Sequence, residues 1–377
     1  MRDKNPFLAS VMGKVREGRP PVQEPYFVRT EYVPAGRYVE VWFQTRGCSW
    51  DHQGGCTMCN YGEGKFVSDE WMVGNVATAL DAVDWPVDEL MVSPSGSMLD
   101  EVEVPKGARL AIYEMVAERD LDLFLIETRE DSVTDELAAE LVAKQPAERR
   151  VAIEIGLESC DPWIRRFCIN KGVSLTQFIN AVDIARRHGI IVYANVCLGT
   201  PFLTARQQIE DSLTTIQWAL HNGADKVVVF PLHIKPFTLL DRLYDWDMYA
   251  PTSLWSLVEI LRRLDPTQLP RIEIAWYKNY YSDSNKVRIA PGVDKAPPAE
   301  IIAALDRFRA EQSEDSVKEL LRLEPTAREQ WSRDIDTVPV VDRRQAMAES
   351  YDRISKKLSM KWQWRERFPD LLADMLK

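Results

Sequence analysis

Short runs of β-branched and aromatic residues alternate with segments of helical periodicity along most of this chain. Six runs have the length and composition of buried strands, at residues 38–45, 89–94, 122–127, 151–156, 190–198 and 226–231. The segments between them place apolar residues on one helical face, at 70–83, 110–119, 134–144, 174–188 and 205–222. A repeat of about 30–40 residues is typical of βαβ units, which form parallel sheets covered by helices.

This series predicts an α/β fold, a partial (β/α)6 TIM-like barrel. A dinucleotide-binding sheet is disfavoured because no Gly-x-Gly-x-x-Gly follows the first strand. Thr134 and Ser174 stand where helices should begin, and Gly189 and Gly223 where helices should end.

The pattern also divides the chain into three regions. We expect an N-terminal extension at 1–34, the barrel at 35–265, and a C-terminal strand and mostly helical region at 266–377, after a boundary marked by Pro266. In the last region, 271–277 predicts one more strand and 292–298 a loop.

The composition is that of an ordinary soluble protein, with 45% hydrophobic and 28% charged residues. The first residues lack an apolar core of signal-peptide length and no run is long enough for a membrane helix, so a cytoplasmic protein without a membrane partner is expected. Because that compartment keeps thiols reduced, clustered cysteines among the six are read as metal ligands or redox groups.

A net charge of −11 disfavours a broad nucleic-acid-binding face. Residues 341–377 differ, with nine Lys and Arg against six Asp and Glu, and Trp362, Trp364 and Phe368 stand among these cations. Such a segment could stack on bases, but an amphipathic helix that docks its aromatic side chains on the body is favoured.

Cys48, Cys56 and Cys59 follow the first predicted barrel strand and form a C-x7-C-x2-C motif on one Gly-containing loop. Three thiolates on a [4Fe–4S] cluster leave one iron open, and that iron can chelate the amino and carboxylate groups of S-adenosylmethionine (SAM). The competing interpretation is a zinc-stabilised scaffold or binding protein without enzymatic activity, in which His52 completes a Cys3His site. The position at the carboxyl end of a barrel strand favours the cluster, since barrel active sites are built there.

Polar residues also follow the other predicted strands, where several groups could meet around one ligand. They are Ser95-Gly96-Ser97, Glu127-Thr128-Arg129, Glu154 and Glu158, Gly199-Thr200, and His233 with Lys235. His233 and Lys235 are candidates for binding or protonating a substrate. The dispersed Cys160, Cys168 and Cys197 are read mainly as packing thiols.

Over residues 41–261 the sequence resembles the radical SAM superfamily, in the branch with the elongator catalytic subunit and the archaeosine synthase radical SAM subunit. The resemblance is carried by Arg46-Gly47-Cys48-Ser49-Trp50, Gly55-Cys56-Thr57-Met58-Cys59-Asn60-Tyr61-Gly62, Ser95-Gly96-Ser97, Glu127-Thr128-Arg129, Glu154-Ile155-Gly156-Leu157-Glu158-Ser159, Asn170-Lys171-Gly172 and Gly199-Thr200-Pro201. The C-x7-C spacing differs from the C-x3-C of most of the superfamily.

The resemblance implies that the three cysteines hold the cluster and that SAM is bound by other residues of the same motifs. These residues are Tyr61, Ser95, Gly96, Ser97, Glu127, Arg129 and Glu158. It also implies a reductase such as flavodoxin or ferredoxin, and it allows a further protein partner. Two substrates stay open, a deazaguanine adduct in tRNA that undergoes C–N cleavage and a small metabolite of a biosynthetic pathway.

Overall fold

The computed structural model describes residues 4–20, 24–62, 67–279, 287–292, 299–338 and 342–377. Eight strands form one sheet in the order in which they occur along the chain. Their bounds are β1 Tyr26–Val33, β2 Gly36–Phe43, β3 Glu89–Pro94, β4 Leu123–Thr128, β5 Arg150–Glu158, β6 Ile191–Leu198, β7 Lys226–Pro231 and β8 Ile272–Ile274. β1 pairs with β2 in antiparallel orientation, and every later pair of neighbours is parallel.

Helices connect and flank these strands. Their bounds are α1 Pro6–Val15, α2 Asp69–Asp81, α3 Lys106–Ala117, α4 Asp135–Ala143, α5 Leu175–Arg187, α6 Ala205–His221, α7 Leu239–Asp245, α8 Leu254–Arg263, α9 Ala299–Glu311, α10 Glu314–Arg322, α11 Pro325–Thr337, α12 Arg343–Lys357, α13 Trp364–Arg367 and α14 Pro369–Leu376. This arrangement confirms the partial TIM-like barrel and the mostly helical C-terminal region. Among the helices described, none is both long enough and apolar enough to cross a membrane.

The six predicted strands are found as β2 to β7, and the additional strand predicted at 271–277 is the short β8. The predicted helix signals are also confirmed. Thr134 accepts a hydrogen bond from the Leu137 N–H at 3.2 Å, and Ser174 forms a reciprocal capping box with Gln177. The loop predicted at 292–298 lies outside the described residues beyond Gly292.

The main core lies between the sheet and its outer helices, and a second apolar cluster joins α1 to the C-terminal helices. In that second cluster Phe7 stacks on Tyr351 with ring centroids 4.2 Å apart, and Trp364 is buried beside both. Trp362 and Phe368 pack against the same cluster. The C-terminal aromatic residues therefore dock on the body, as the favoured interpretation predicts.

Candidate active site

A single cavity inside the barrel brings together most of the residues singled out in the sequence. Cys48, Cys56 and Cys59 all line it. So do five of the residues predicted to bind SAM, namely Tyr61, Gly96, Glu127, Arg129 and Glu158. The chain therefore places the three thiols and these polar groups around one cavity.

The long spacing between Cys48 and Cys56 is accommodated by a braced turn. Asp51–Gln53 form a short 3-10 turn, which Gly54 and Gly55 close with positive φ angles of 139° and 65°. Arg16 of α1 donates hydrogen bonds to the carbonyls of Asp51 at 2.9 Å and Gly54 at 3.0 Å, and it also pairs with the Asp51 carboxylate. The extra residues thus form a fixed turn beneath α1.

The Asn170-Lys171-Gly172 motif supports the cysteine loop from the other side. The Asn170 side chain donates to the Gly55 carbonyl at 2.8 Å, and the Trp50 indole donates to the Asn170 carbonyl at 2.8 Å. Gly172 has φ of 74°, and a Cβ at this position would collide with the Trp50 ring. The motif therefore holds the loop in place and brings Lys171 to the cavity.

Each of the three thiols lies near a different cation. The Arg129 guanidinium is 3.6 Å from Cys48 Sγ. Lys171 and Lys235 also line the cavity, and their positive charges stabilise the thiolate forms of Cys56 and Cys59, respectively. Burial raises the pKa of all three thiols, that of Cys48 to about 12, while these three positive charges oppose the rise. Three thiols surrounded by cations are suited to a ligand that binds the thiolate forms and forms a negatively charged complex with them.

Among the described residues, the structure does not support a site for a single metal ion. In the described parts of the chain, no group of three or more His, Cys, Asp or Glu side chains could hold one ion. His52 is exposed and does not line the cavity, so the Cys3His zinc site considered as an alternative is not found there. A [4Fe–4S] cluster takes each thiolate on a different iron, so its cysteines need not converge on one point. The donor set and the surrounding cations fit that cluster.

The Ser95-Gly96-Ser97 turn presents its backbone to the cavity. The Ser95 hydroxyl accepts from the Thr45 N–H at 2.8 Å, and Ser97 Oγ lies 2.7 Å from Thr128 Oγ1. Only Gly96 lines the cavity, and a Cβ at Gly96 would collide with Glu103. Both serine hydroxyls are thus engaged within the protein, and their contact with SAM stays a prediction.

Two carboxylates that the sequence motifs did not identify hold the Arg129 side of the site. Glu103 is fully buried, accepts from the Ser49 N–H at 2.6 Å and the Ser97 N–H at 2.7 Å, and pairs with Arg129. Asp100 accepts from the Ser49 hydroxyl at 2.8 Å and also pairs with Arg129. The acidic segment Asp100-Glu101-Val102-Glu103, shortly after the Ser-Gly-Ser turn, is the sequence feature that could have identified these two carboxylates.

Glu127 and Glu158 differ in their partners. Glu127 accepts from the Ser93 hydroxyl at 2.6 Å, and burial raises its pKa to about 7. Glu158 has a left-handed φ of 67° and accepts from Lys171 Nζ at 3.1 Å and from the Cys197 thiol at 2.9 Å. Cys160, Cys168 and Cys197 do not line the cavity.

Comparison with known proteins gives sequence relatives but no matching family model. The chain is 33% identical over 230 residues to archaeosine synthase subunit beta of Methanosarcina acetivorans, which covers 59% of this chain and 65% of that protein. The protein of the same name from Thermococcus kodakarensis is 31% identical over 213 residues, covering 55% of this chain and 65% of that protein. The chain thus spans just under two thirds of the length of these relatives.

Among solved structures, methylornithine synthase is similar with a TM-score of 0.46 and 14% identity, over 71% of this chain and 69% of that one. By sequence the chain is thus similar to proteins named archaeosine synthase subunit beta.

Proposed function

We propose that this chain is a radical SAM enzyme in which Cys48, Cys56 and Cys59 hold a [4Fe–4S] cluster with one iron open to SAM. The observation that carries the proposal is the placement of three thiols from one loop around one cavity, which Arg129, Lys171 and Lys235 also line. When bound, such a cluster supplies the electron that cleaves SAM to methionine and a 5′-deoxyadenosyl radical.

The residues of this chain would bind, orient and enclose the reactants. Arg129, Lys171 and Lys235 offset the negative charge of the thiolates. Glu127 and Glu158 offer acceptors for the ribose hydroxyls or the amino group of SAM, and Gly96 lets the backbone approach it closely. The position of the cavity inside the barrel would limit the access of bulk water, which protects a radical from side reactions.

Two substrates are supported by different observations. The similarity to proteins named archaeosine synthase subunit beta supports C–N cleavage in a deazaguanine adduct of tRNA. The net charge of −11 and the burial of Trp364 in the C-terminal segment support a small metabolite instead, since both reduce the surface available to RNA. The word subunit in the relatives' name supports a protein partner, and the chemistry requires a reductase such as flavodoxin or ferredoxin.

Anaerobic reconstitution with iron and sulfide tests the proposal. We expect brown protein with about four irons and four sulfides per chain, which forms 5′-deoxyadenosine from SAM in the presence of dithionite. Cys56→Ala should lose both properties, whereas Cys160→Ala, a matched change outside the cavity, should keep them. A colourless protein with one tightly bound zinc, or a Cys56→Ala variant that still cleaves SAM, would contradict the proposal.

A second experiment separates the two substrates. The reconstituted enzyme is incubated with SAM and with tRNA that carries a deazaguanine adduct, and the nucleosides are then analysed by mass spectrometry. A mass change that needs intact Cys56 supports the tRNA substrate. If SAM is cleaved while the masses of the nucleosides stay unchanged, the result supports a small metabolite as the substrate.

A further inference from the structure

The C-terminal region carries a cluster of positive charge that the site described above does not use. Residues 353–367 contain six Lys and Arg and one Glu, whereas the whole chain has a net charge of −11. Five of these cations are exposed, and we call them together the basic turn: Arg353, Lys356, Lys357, Lys361 and Arg367. We propose that the basic turn is the docking surface of the protein that reduces the cluster, a one-electron carrier with an acidic surface. This inference rests on the proposed function, because it names the surface on which a partner of the same cluster binds.

The basic turn is one continuous surface at the end of α12. Its three members on α12 are spaced i, i+3 and i+4, so they share the exposed face of that helix. After α12 the chain folds back, because the Met360 N–H donates to the Ser355 carbonyl at 3.0 Å, and this keeps Lys361 close to the end of the helix. The Arg367 guanidinium lies over the Trp362 ring, 4.9 Å from its centroid. The five cations are therefore presented together.

The positive charge of the basic turn is left without ion pairs. Within the part of the chain that the structure describes, none of its five cations forms one. Asp352, the acid directly before them in the sequence, is bound by Arg365 at 2.7 Å and by the Trp364 indole at 2.7 Å. Lys356 and Lys357 lie in the last turn of α12, where positive charge favours the helix end. That role does not account for the other three cations.

A buried path of contacts leads from the cysteine loop toward the basic turn. Asn170, whose side chain donates to the Gly55 carbonyl next to Cys56, also accepts from the Asn5 N–H at 2.9 Å. The Asn5 side chain donates to the Tyr351 hydroxyl at 3.0 Å. Asn5, Asn170 and Tyr351 are all fully buried. Two amide side chains thus connect the cysteine loop to α12.

Aromatic rings continue the path to the surface. The Tyr351 ring stacks on Phe7 with centroids 4.2 Å apart, and Phe7 contacts Trp362, the neighbour of Lys361, at 6.3 Å. Cys56 and Trp362 pack against the same apolar cluster. An electron can tunnel through such a closely packed region without reducing the residues in it. In this step the carrier gives up one electron and is oxidised, the cluster takes it up and is reduced, and no atom changes place.

The position of the basic turn favours an electron carrier over RNA. None of the described residues of α1 or of 342–377 lines the cavity, so a nucleic acid bound there would not thereby enter the cavity. RNA binding would also use aromatic side chains to stack on bases, but Trp362 and Phe368 pack on the body and Trp364 is buried. The negative charge of the rest of the chain would repel an acidic carrier from other faces, whereas the basic turn would attract it.

Reduction of the reconstituted full-length enzyme by two reductants tests the inference. Flavodoxin in its hydroquinone form must dock, whereas dithionite is a small ion that need not, and the loss of the cluster's visible absorbance is followed by stopped flow. The double variant Arg353→Gln/Lys357→Gln should be reduced by flavodoxin at least about tenfold more slowly at low salt, because complementary charges speed association by about 10–1,000-fold. Its reduction by dithionite should not change. At about 1 M salt, where the Debye length is about 3 Å, flavodoxin should reduce the wild type and the variant at similar rates.

The double variant Lys318→Gln/Arg322→Gln is the matched control. These two residues are exposed, stand i and i+4 on α10, and include one cation in the last turn, as the α12 pair does. The buried residues of α10 belong to the main core, not to the cluster that joins α1 to the C-terminal helices. Flavodoxin should reduce this control as fast as the wild type.

Two results would overturn the inference. One is equal reduction of the wild type and the α12 variant by flavodoxin at low salt, and the other is an equal loss in the α12 variant and the α10 control. If flavodoxin reduces the α12 variant normally while that variant alone loses tRNA binding in a filter-binding assay, the basic turn is a nucleic-acid surface instead.

Binding of labelled flavodoxin to the iron-free full-length chain, followed by fluorescence anisotropy, keeps the two proposals apart because it needs no cluster. If the enzyme cleaves SAM with dithionite but neither flavodoxin binding nor reduction depends on the basic turn, the proposed function stands and this inference is wrong. If no cluster forms but the α12 variant alone loses flavodoxin binding, the proposed function is wrong and the docking surface remains.

Discussion

Glu127→Gln should make the iron-free chain more stable while it impairs SAM cleavage. Burial raises the pKa of the Glu127 carboxyl from its ordinary 4.5 to about 7. At about 1.36 kcal/mol for each pH unit, keeping this group ionised in the folded chain costs at most about 3 kcal/mol. The glutamine side chain of the variant carries no charge, and its carbonyl oxygen can still accept the hydrogen bond from Ser93.

The sign of the pH dependence follows from linkage. Between pH 4.5 and about 7 the folded chain holds a proton on Glu127 that the unfolded chain has already released. The free energy of unfolding of the wild type therefore falls as pH rises through this window and changes no further above it. Urea denaturation at several pH values should show the advantage of Glu127→Gln growing by up to about 3 kcal/mol between pH 4.5 and 7.5.

Glu89→Gln separates stability from function. The pKa of Glu89 is also raised to about 7, mainly by burial, but Glu89 begins β3 and does not line the cavity. It should give a similar pH-dependent gain in stability and leave SAM cleavage unchanged. A Glu127→Gln variant without any gain above pH 7 would refute the reasoning about buried charge, and full SAM cleavage by that variant would remove Glu127 from the site.

Three further changes probe the supports of the site. Glu103→Gln breaks the buried pair with Arg129 and should lower the free energy of unfolding by about 3 kcal/mol, measured by urea denaturation. Gly172→Ala adds a Cβ against the Trp50 ring at positive φ and should cost more than about 1 kcal/mol in the same assay. Lys235→Met removes a positive charge that acts on Cys59 across the cavity and should lower the reduction potential of the reconstituted cluster, measured by an EPR-monitored redox titration. An unchanged value in any of these assays would contradict the corresponding role.

The barrel strands were predictable because a strand buried on both faces is a short, nearly continuous apolar run. β3, with the sequence Glu-Leu-Met-Val-Ser-Pro, is buried at every position. β1 was not predicted, because its Arg29 and Glu31 interrupt the apolar pattern. These charges are buried while paired with Glu40 on the neighbouring strand β2 and with Arg309 on the distant helix α9, which a local pattern does not reveal.

The candidate site was predictable to a similar degree. The cysteine spacing identified Cys48, Cys56 and Cys59, and strand ends identified Glu127, Arg129 and Glu158, which line the same cavity. The braces on the cysteine loop could not be predicted. Arg16 lies 35 residues from Asp51, and Asn170 lies 115 residues from Gly55, so their contacts depend on the complete fold.

The buried thiols that line the cavity are unfavourable as thiolates in the empty chain and would become favourable once a ligand with positive charge bound to them. Buried thiols with raised pKa values would become thiolates if iron displaced their protons, and Arg129 would balance the negative charge on Cys48. Ionisable groups with strongly raised pKa values that lie around one cavity are typical of a binding site.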